Sequence, residues 1–82
     1  MAKLLVVIHS FYFNNGVYVK WTPLKEDGKG HDMFKVAIEF PPTERGSDIV
    51  RSERRGPPSA AASLHLLKWV IKERKNNANP LP

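Results

Sequence analysis

Met33-Phe34-Lys35-Val36-Ala37-Ile38-Glu39-Phe40 is the stretch that sets the architecture of this chain. Phe34, Val36, Ile38 and Phe40 recur at every second position. Lys35 and Glu39 take alternate positions, with Ala37 between them. This period of two predicts a strand with one buried face and one solvated face. Pro41-Pro42 is expected to stop it, because proline brings no N–H to a ladder.

Toward the N-terminus, Lys3 to Phe13 is rich in β-branched and aromatic residues and predicts another strand. Asn14-Asn15-Gly16 follows. Asn15-Gly16 suits a two-residue type I′ turn, in which both residues have positive φ. That turn would pair Asn14 with Val17 and Phe13 with Tyr18. Val17 to Thr22 is the returning strand, and Pro23 ends it. Residues 24–32, with Asp27-Gly28 and Gly30, form a polar turn.

Toward the C-terminus, residues 43–48 predict a loop and Ile49 to Ser52 a short fourth strand. Pro57, Pro58 and an N-cap at Ser59 open a helix that reaches about Lys75, where Asn76-Asn77 is expected to stop it. Ala60, Leu64, Leu67 and Ile71 form its apolar stripe, widened by Val70. The expected fold is therefore α+β: an antiparallel β-meander of three to four strands, covered on one face by a single C-terminal helix. Residues 1–75 make this one domain, and residues 76–82 a flexible tail.

The expected hairpin register leaves the sheet apolar on both faces. One face would carry Leu4, Val6, Ile8 and Tyr12 with Val17, Val19 and Trp21. The other would carry Leu5, Val7, Phe11, Phe13 and Tyr18, with His9 and Lys20. One helix covers one face only. Phe11, Phe13 and Tyr18 are thus expected to form a self-association or partner face, with a homodimer as one outcome. Trp69 lies opposite the helix stripe, flanked by His65 and Lys72 on one side and Leu66 and Glu73 on the other. Tryptophan in such a place is a candidate interface anchor.

The chain has 82 residues, enough for one domain, and no cysteine. Disulfides and thiolate metal sites are therefore excluded. The apolar run Leu4 to Ile8 is too short to cross a bilayer and lacks a cleavage site, so it reads as a buried strand rather than a signal peptide. A cytoplasmic protein with no membrane partner is expected. The formal net charge is +5, and its distribution is uneven. Residues 1–50 carry six Lys/Arg and six Asp/Glu, whereas residues 51–82 carry seven Lys/Arg against Glu53 and Glu73. Such asymmetry points to an acidic partner.

Arg51, Arg54 and Arg55 precede the helix, whose N-terminus favours anions. Lys68, Lys72 and Lys75 extend the basic surface along it. Together with His65 and Trp69, these residues form the candidate surface for a partner or a nucleic acid. His9, His31 and His65 have no carboxylate or histidine at ligand spacing, so no metal site is expected. His31-Asp32 suits a turn, and Ser59 and Ser63 suit capping and packing. The chain holds no phosphate loop, nucleophile elbow or paired carboxylates. Neither catalysis nor a cofactor is expected.

Phe34-x-Val36-x-Ile38, then Gly56 and Ala60-Ala61-Ala62 leading into Leu64 and Leu67, resembles the C-terminal half of a double-stranded-RNA-binding domain. The resemblance covers about half the chain and implies a meander-plus-helix shape. That family grips phosphates with basic residues at the helix start. Here Ser59-Ala60-Ala61-Ala62-Ser63 stands in that place, and strands replace the family's N-terminal helix. If the resemblance extended to binding, Arg54, Arg55 and Lys68 would have to supply the phosphate contacts.

Two functions follow. The first is a small non-enzymatic protein-interaction module, of the kind a phage or mobile element encodes to inhibit or modulate a host nucleic-acid-handling complex. The alternative is a nucleic-acid-binding domain, for RNA or DNA, that uses the basic loop and helix. The first is favoured because the phosphate-gripping pattern is broken and one apolar sheet face has no cover.

Overall fold

The computed structural model of the chain describes residues 7–24 and 33–78. Within them the order is β1 (His9–Tyr12), a 3₁₀ turn (Asn14–Gly16), β2 (Tyr18–Pro23), β3 (Met33–Thr43), β4 (Gly46–Arg55) and α1 (Ala60–Ala78). The strands form one antiparallel sheet in the order β1-β2-β3-β4. This is the expected α+β meander with a single C-terminal helix. The expected start of the first strand at Lys3, the turn residues 25–32 including His31, and the tail residues 79–82 lie outside the described residues.

The core lies between the sheet and α1. Val19 and Trp21 from β2, Val36 and Ile38 from β3, and Leu66, Leu67 and Val70 from α1 are buried. Full burial of a side chain of this kind stabilises by about 1.5–3 kcal/mol. Trp21 and Phe34 meet edge to face, with ring centroids 5.9 Å apart. The indole N–H of Trp21 donates to Ser63 Oγ at 2.7 Å, and Ser63 Oγ donates to the Ser59 carbonyl at 2.7 Å. Ser63 is fully buried, with both of its hydrogen-bonding roles used. Ser59 is the N-cap, accepting at Oγ from the Ala62 N–H at 3.0 Å.

The first hairpin differs from expectation by one residue. Phe13 N–H donates to the Val17 carbonyl at 2.8 Å, and Tyr12 faces Tyr18 while Phe11 faces Val19. Asn14 joins the loop, making it three residues long. Asn15 (φ 68°) and Gly16 (φ 76°) do adopt the positive φ that their types favour. A slip of one residue flips every side chain of one strand to the other face. Phe11 and Phe13 therefore pack against the core beneath α1. Phe11 and Phe13 do not belong to an exposed apolar face, and Leu4, Leu5 and Val6 lie outside the described residues.

Three other boundaries also move. β3 continues through Pro41 and Pro42 to Thr43, with a register shift between Phe40 and Thr43. The prolines sit in this irregular stretch, where the ladder is already interrupted. β4 is ten residues long rather than four. α1 runs past Asn76-Asn77 to Ala78.

The helix stripe is rotated as well. Ser63, Leu66, Leu67 and Val70 face the sheet, whereas Ala60, Leu64 and Ile71 are exposed. The Trp21–Ser63 bond turns this side of the helix inward, since a buried indole N–H must find an acceptor. Further along, Arg74 makes two hydrogen bonds to the Asp48 carboxylate, at 2.7 and 3.0 Å. Its guanidinium also lies 4.1 Å from the centre of the Phe40 ring.

Candidate functional site

Strand alternation distributes the polar residues of the sheet. Phe34, Val36, Ile38 and Phe40 point toward α1, so Lys35, Ala37 and Glu39 point to the open face. Pairing carries this parity across the sheet. Lys20, Ala37 and Arg51 form one row, Thr22, Lys35 and Glu53 the next, and Tyr18, Glu39 and Ile49 a third. Ser10 and Tyr12 extend the first and third rows onto β1.

The middle of this face is a cleft of about 350 Å³. Its shape follows from residue size: Ala37 sits between two long cations, Lys20 and Arg51, and leaves a hollow there. Lys35, Thr22 and Glu53 line one end, and Glu39 and Ile49 the other. Lys20, Lys35 and Arg51 make no ion pair within 4.0 Å with a carboxylate of the described residues. Beside the cleft, the rings of Tyr12 and Tyr18 stack with centroids 5.1 Å apart. Tyr12 is 75% exposed. A hydrogen bond to Glu39 raises the Tyr18 phenol above its ordinary value, with partial desolvation and the Glu39 charge adding to the effect. The phenol therefore stays protonated at neutral pH and keeps its O–H as a donor.

A second, smaller cavity of about 270 Å³ lies on the helix side, lined by Arg54, His65, Leu66 and Trp69. Arg54 pairs with Phe34 and shares its parity, which brings it to the side of α1. Trp69 is 53% exposed beside it.

The structure thus divides the residues expected to act together. Arg54, His65 and Trp69 meet around the helix-side cavity. Arg51 and Arg55 alternate to the open sheet face, and Arg51 borders the cleft there. Lys68, Lys72 and Lys75 are exposed on the outer side of α1. Of the expected self-association face, only Tyr18 lies on the open side of the sheet. Tyr12, Lys20 and the Lys35–Glu39 pair were not among the candidates. Their signal was the alternation itself, which gave Lys35 and Glu39 the solvated side of β3 but needed the true hairpin register to add Tyr12.

Among the described residues, no cluster of three or more His, Cys, Asp or Glu is placed to hold a metal ion. Among them, too, no helix is long and apolar enough to cross a membrane. Comparison with protein-family models, curated proteins and solved structures finds no match to this chain.

Proposed function

We propose that this chain is a nucleic-acid-binding module of the cytoplasm, acting by contact rather than by catalysis, and that the open sheet face is its contact surface. The supporting observation is the set of three cations, Lys20, Lys35 and Arg51, that make no ion pair with a carboxylate of the described residues and lie beside an exposed tyrosine stack. Such cations are available to replace the counterions of a phosphate backbone. Aromatic rings beside them supply flat apolar area for bases. The excess of positive charge over the whole chain adds long-range attraction.

The test is anisotropy of a labelled oligonucleotide against full-length protein across a salt series. Affinity should fall steeply between about 50 and 200 mM salt. Lys20→Ala with Arg51→Ala should weaken binding at least about tenfold and flatten the salt dependence, as two phosphate contacts are lost. Equal affinity and an unchanged slope in the double variant would remove the sheet face from the account.

A second reading is supported by the helix-side cavity. Trp69 and Leu66 offer an apolar floor there, and Arg54 and His65 offer charge and hydrogen-bond donors. That combination suits a protein partner, as expected of an inhibitor or modulator of a host nucleic-acid-handling complex encoded by a phage or mobile element. Self-association is a weaker reading. Phe11 and Phe13, which would have driven it, are used in the core.

A further inference from the structure

We propose that the open face takes single-stranded rather than duplex nucleic acid, laid flat across all four strands with one base stacked on Tyr12. This rests on the nucleic-acid reading of that face and goes further by naming the strand state and the stacking residue.

The first argument is width. The groups that face the ligand are spread over the sheet: Tyr12 on β1, Lys20 on β2, Lys35 on β3 and Arg51 on β4. Strands lie about 4.8 Å apart, so β1 and β4 are roughly 14 Å apart at their axes, before side chains are added. A B-DNA major groove is about 12 Å wide and admits a helix or a two-stranded ribbon. The minor groove is narrower, and the major groove of RNA duplexes is too deep and narrow for side chains to read. No B-DNA groove, and not the deep major groove of an RNA duplex, takes in the whole face, and in any duplex the base faces are stacked and out of reach of Tyr12. A single strand, with its bases splayed, can lie across the whole of it.

The second argument is chemistry. Tyr12 has one ring face against Tyr18 and is mostly exposed otherwise, which is the arrangement a stacking base needs. Glu39 stands directly opposite Tyr18 on β3, on the same face of the sheet. The adjacent hollow over Ala37 is walled by Lys20 and Arg51, which can meet the phosphates on either side of a seated base. The Glu39 carboxylate at the edge of the hollow can accept from the exocyclic amino group of a base.

The experiment measures full-length protein against a labelled 12-nucleotide single strand and the same strand annealed to its complement, at one fixed salt concentration. The single strand should bind at least tenfold more tightly. Tyr12→Ala should weaken single-strand binding about 5- to 150-fold, the worth of one stacked base, and leave duplex binding unchanged. Tyr12→Phe should retain affinity, because the ring and not the hydroxyl does the stacking. Circular dichroism of each variant shows whether the fold is kept. Equal or tighter binding of the duplex, with no response to Tyr12→Ala, would overturn the single-strand proposal while leaving nucleic-acid binding intact. Failure of both oligonucleotides to bind would overturn the nucleic-acid reading itself, and capture of a protein through the same face would assign that face to the partner.

Discussion

Trp21 is 1% exposed and its indole N–H has one partner, Ser63 Oγ. The pair links the middle of β2 to the first turns of α1, 42 positions apart in sequence. Removing the hydroxyl leaves a buried donor without water or acceptor, and such a loss costs about 1–3 kcal/mol. Ser63→Ala should lower stability by that amount in urea unfolding followed by far-ultraviolet circular dichroism. In a Trp21→Phe background the same change should cost less, because the donor is already gone. A cost below about 0.5 kcal/mol in the wild-type background would mean the bond does not hold the helix in place. Gly56 shows the same tightness near the start of α1. A Cβ at that position would lie 2.5 Å from Phe34 Cε1, so any larger residue there must displace the ring that packs on Trp21.

Between elements, Arg74 ties the C-terminal half of α1 to the sheet. Its hydrogen bonds hold the Asp48 carboxyl below its ordinary value, against the opposing effect of partial desolvation. The same bonds raise the guanidinium value further, so Arg74 stays charged throughout. A carboxyl with a depressed pKa in the folded state binds fewer protons there than in the unfolded chain. Its contribution is therefore complete above the unfolded value of about 3.9 and fades as pH falls through the lower folded value. Asp48→Asn should be less stable than wild type from about pH 5 to neutrality, and the gap should narrow as pH falls below about 4 and the carboxyl is protonated. A gap that stays constant from neutral to acid in parallel denaturation curves would show that the charge of Asp48 contributes nothing. The pair also bears on the N-terminal extension of β4, whereas Glu53 to Arg55 extend it by pairing with Met33 to Lys35. Asp48 looked like a loop residue, but its ligation by Arg74 makes it the strand's attachment point.

At the scale of the molecule, one helix on a four-stranded sheet leaves two distinct surfaces. The open face carries the cleft and the tyrosines, and the far side carries Trp69 with Arg54 and His65. They are separated by the core, so their effects should be separable. Trp69→Ala should cost about 1–2 kcal/mol, since nearly half of this large side chain is covered. It should leave oligonucleotide affinity unchanged while abolishing co-purification of any protein held at the helix side. A Trp69→Ala variant that lost oligonucleotide binding would move the nucleic-acid surface to α1.

The alternation over residues 33–40, the helix opening at Ser59 and the positive-φ loop at Asn15-Gly16 were legible in the sequence alone. Each depends on neighbours a few positions away: strand period, side-chain capping and the conformational freedom of Asn and Gly. The exposed position of Trp69 was legible on the same basis. Only the tertiary structure decided which face Phe11, Phe13 and Tyr12 occupy, whereas Tyr18 lies on the expected one. The loop could close with two residues or three, and a strand whose faces are both apolar does not resist a one-residue slip. The rotation of α1 was likewise set from a distance, by the Trp21 N–H and the Asp48 carboxylate. Those long-range choices moved Phe11 and Phe13 into the core and brought Tyr12 to the open face beside Tyr18.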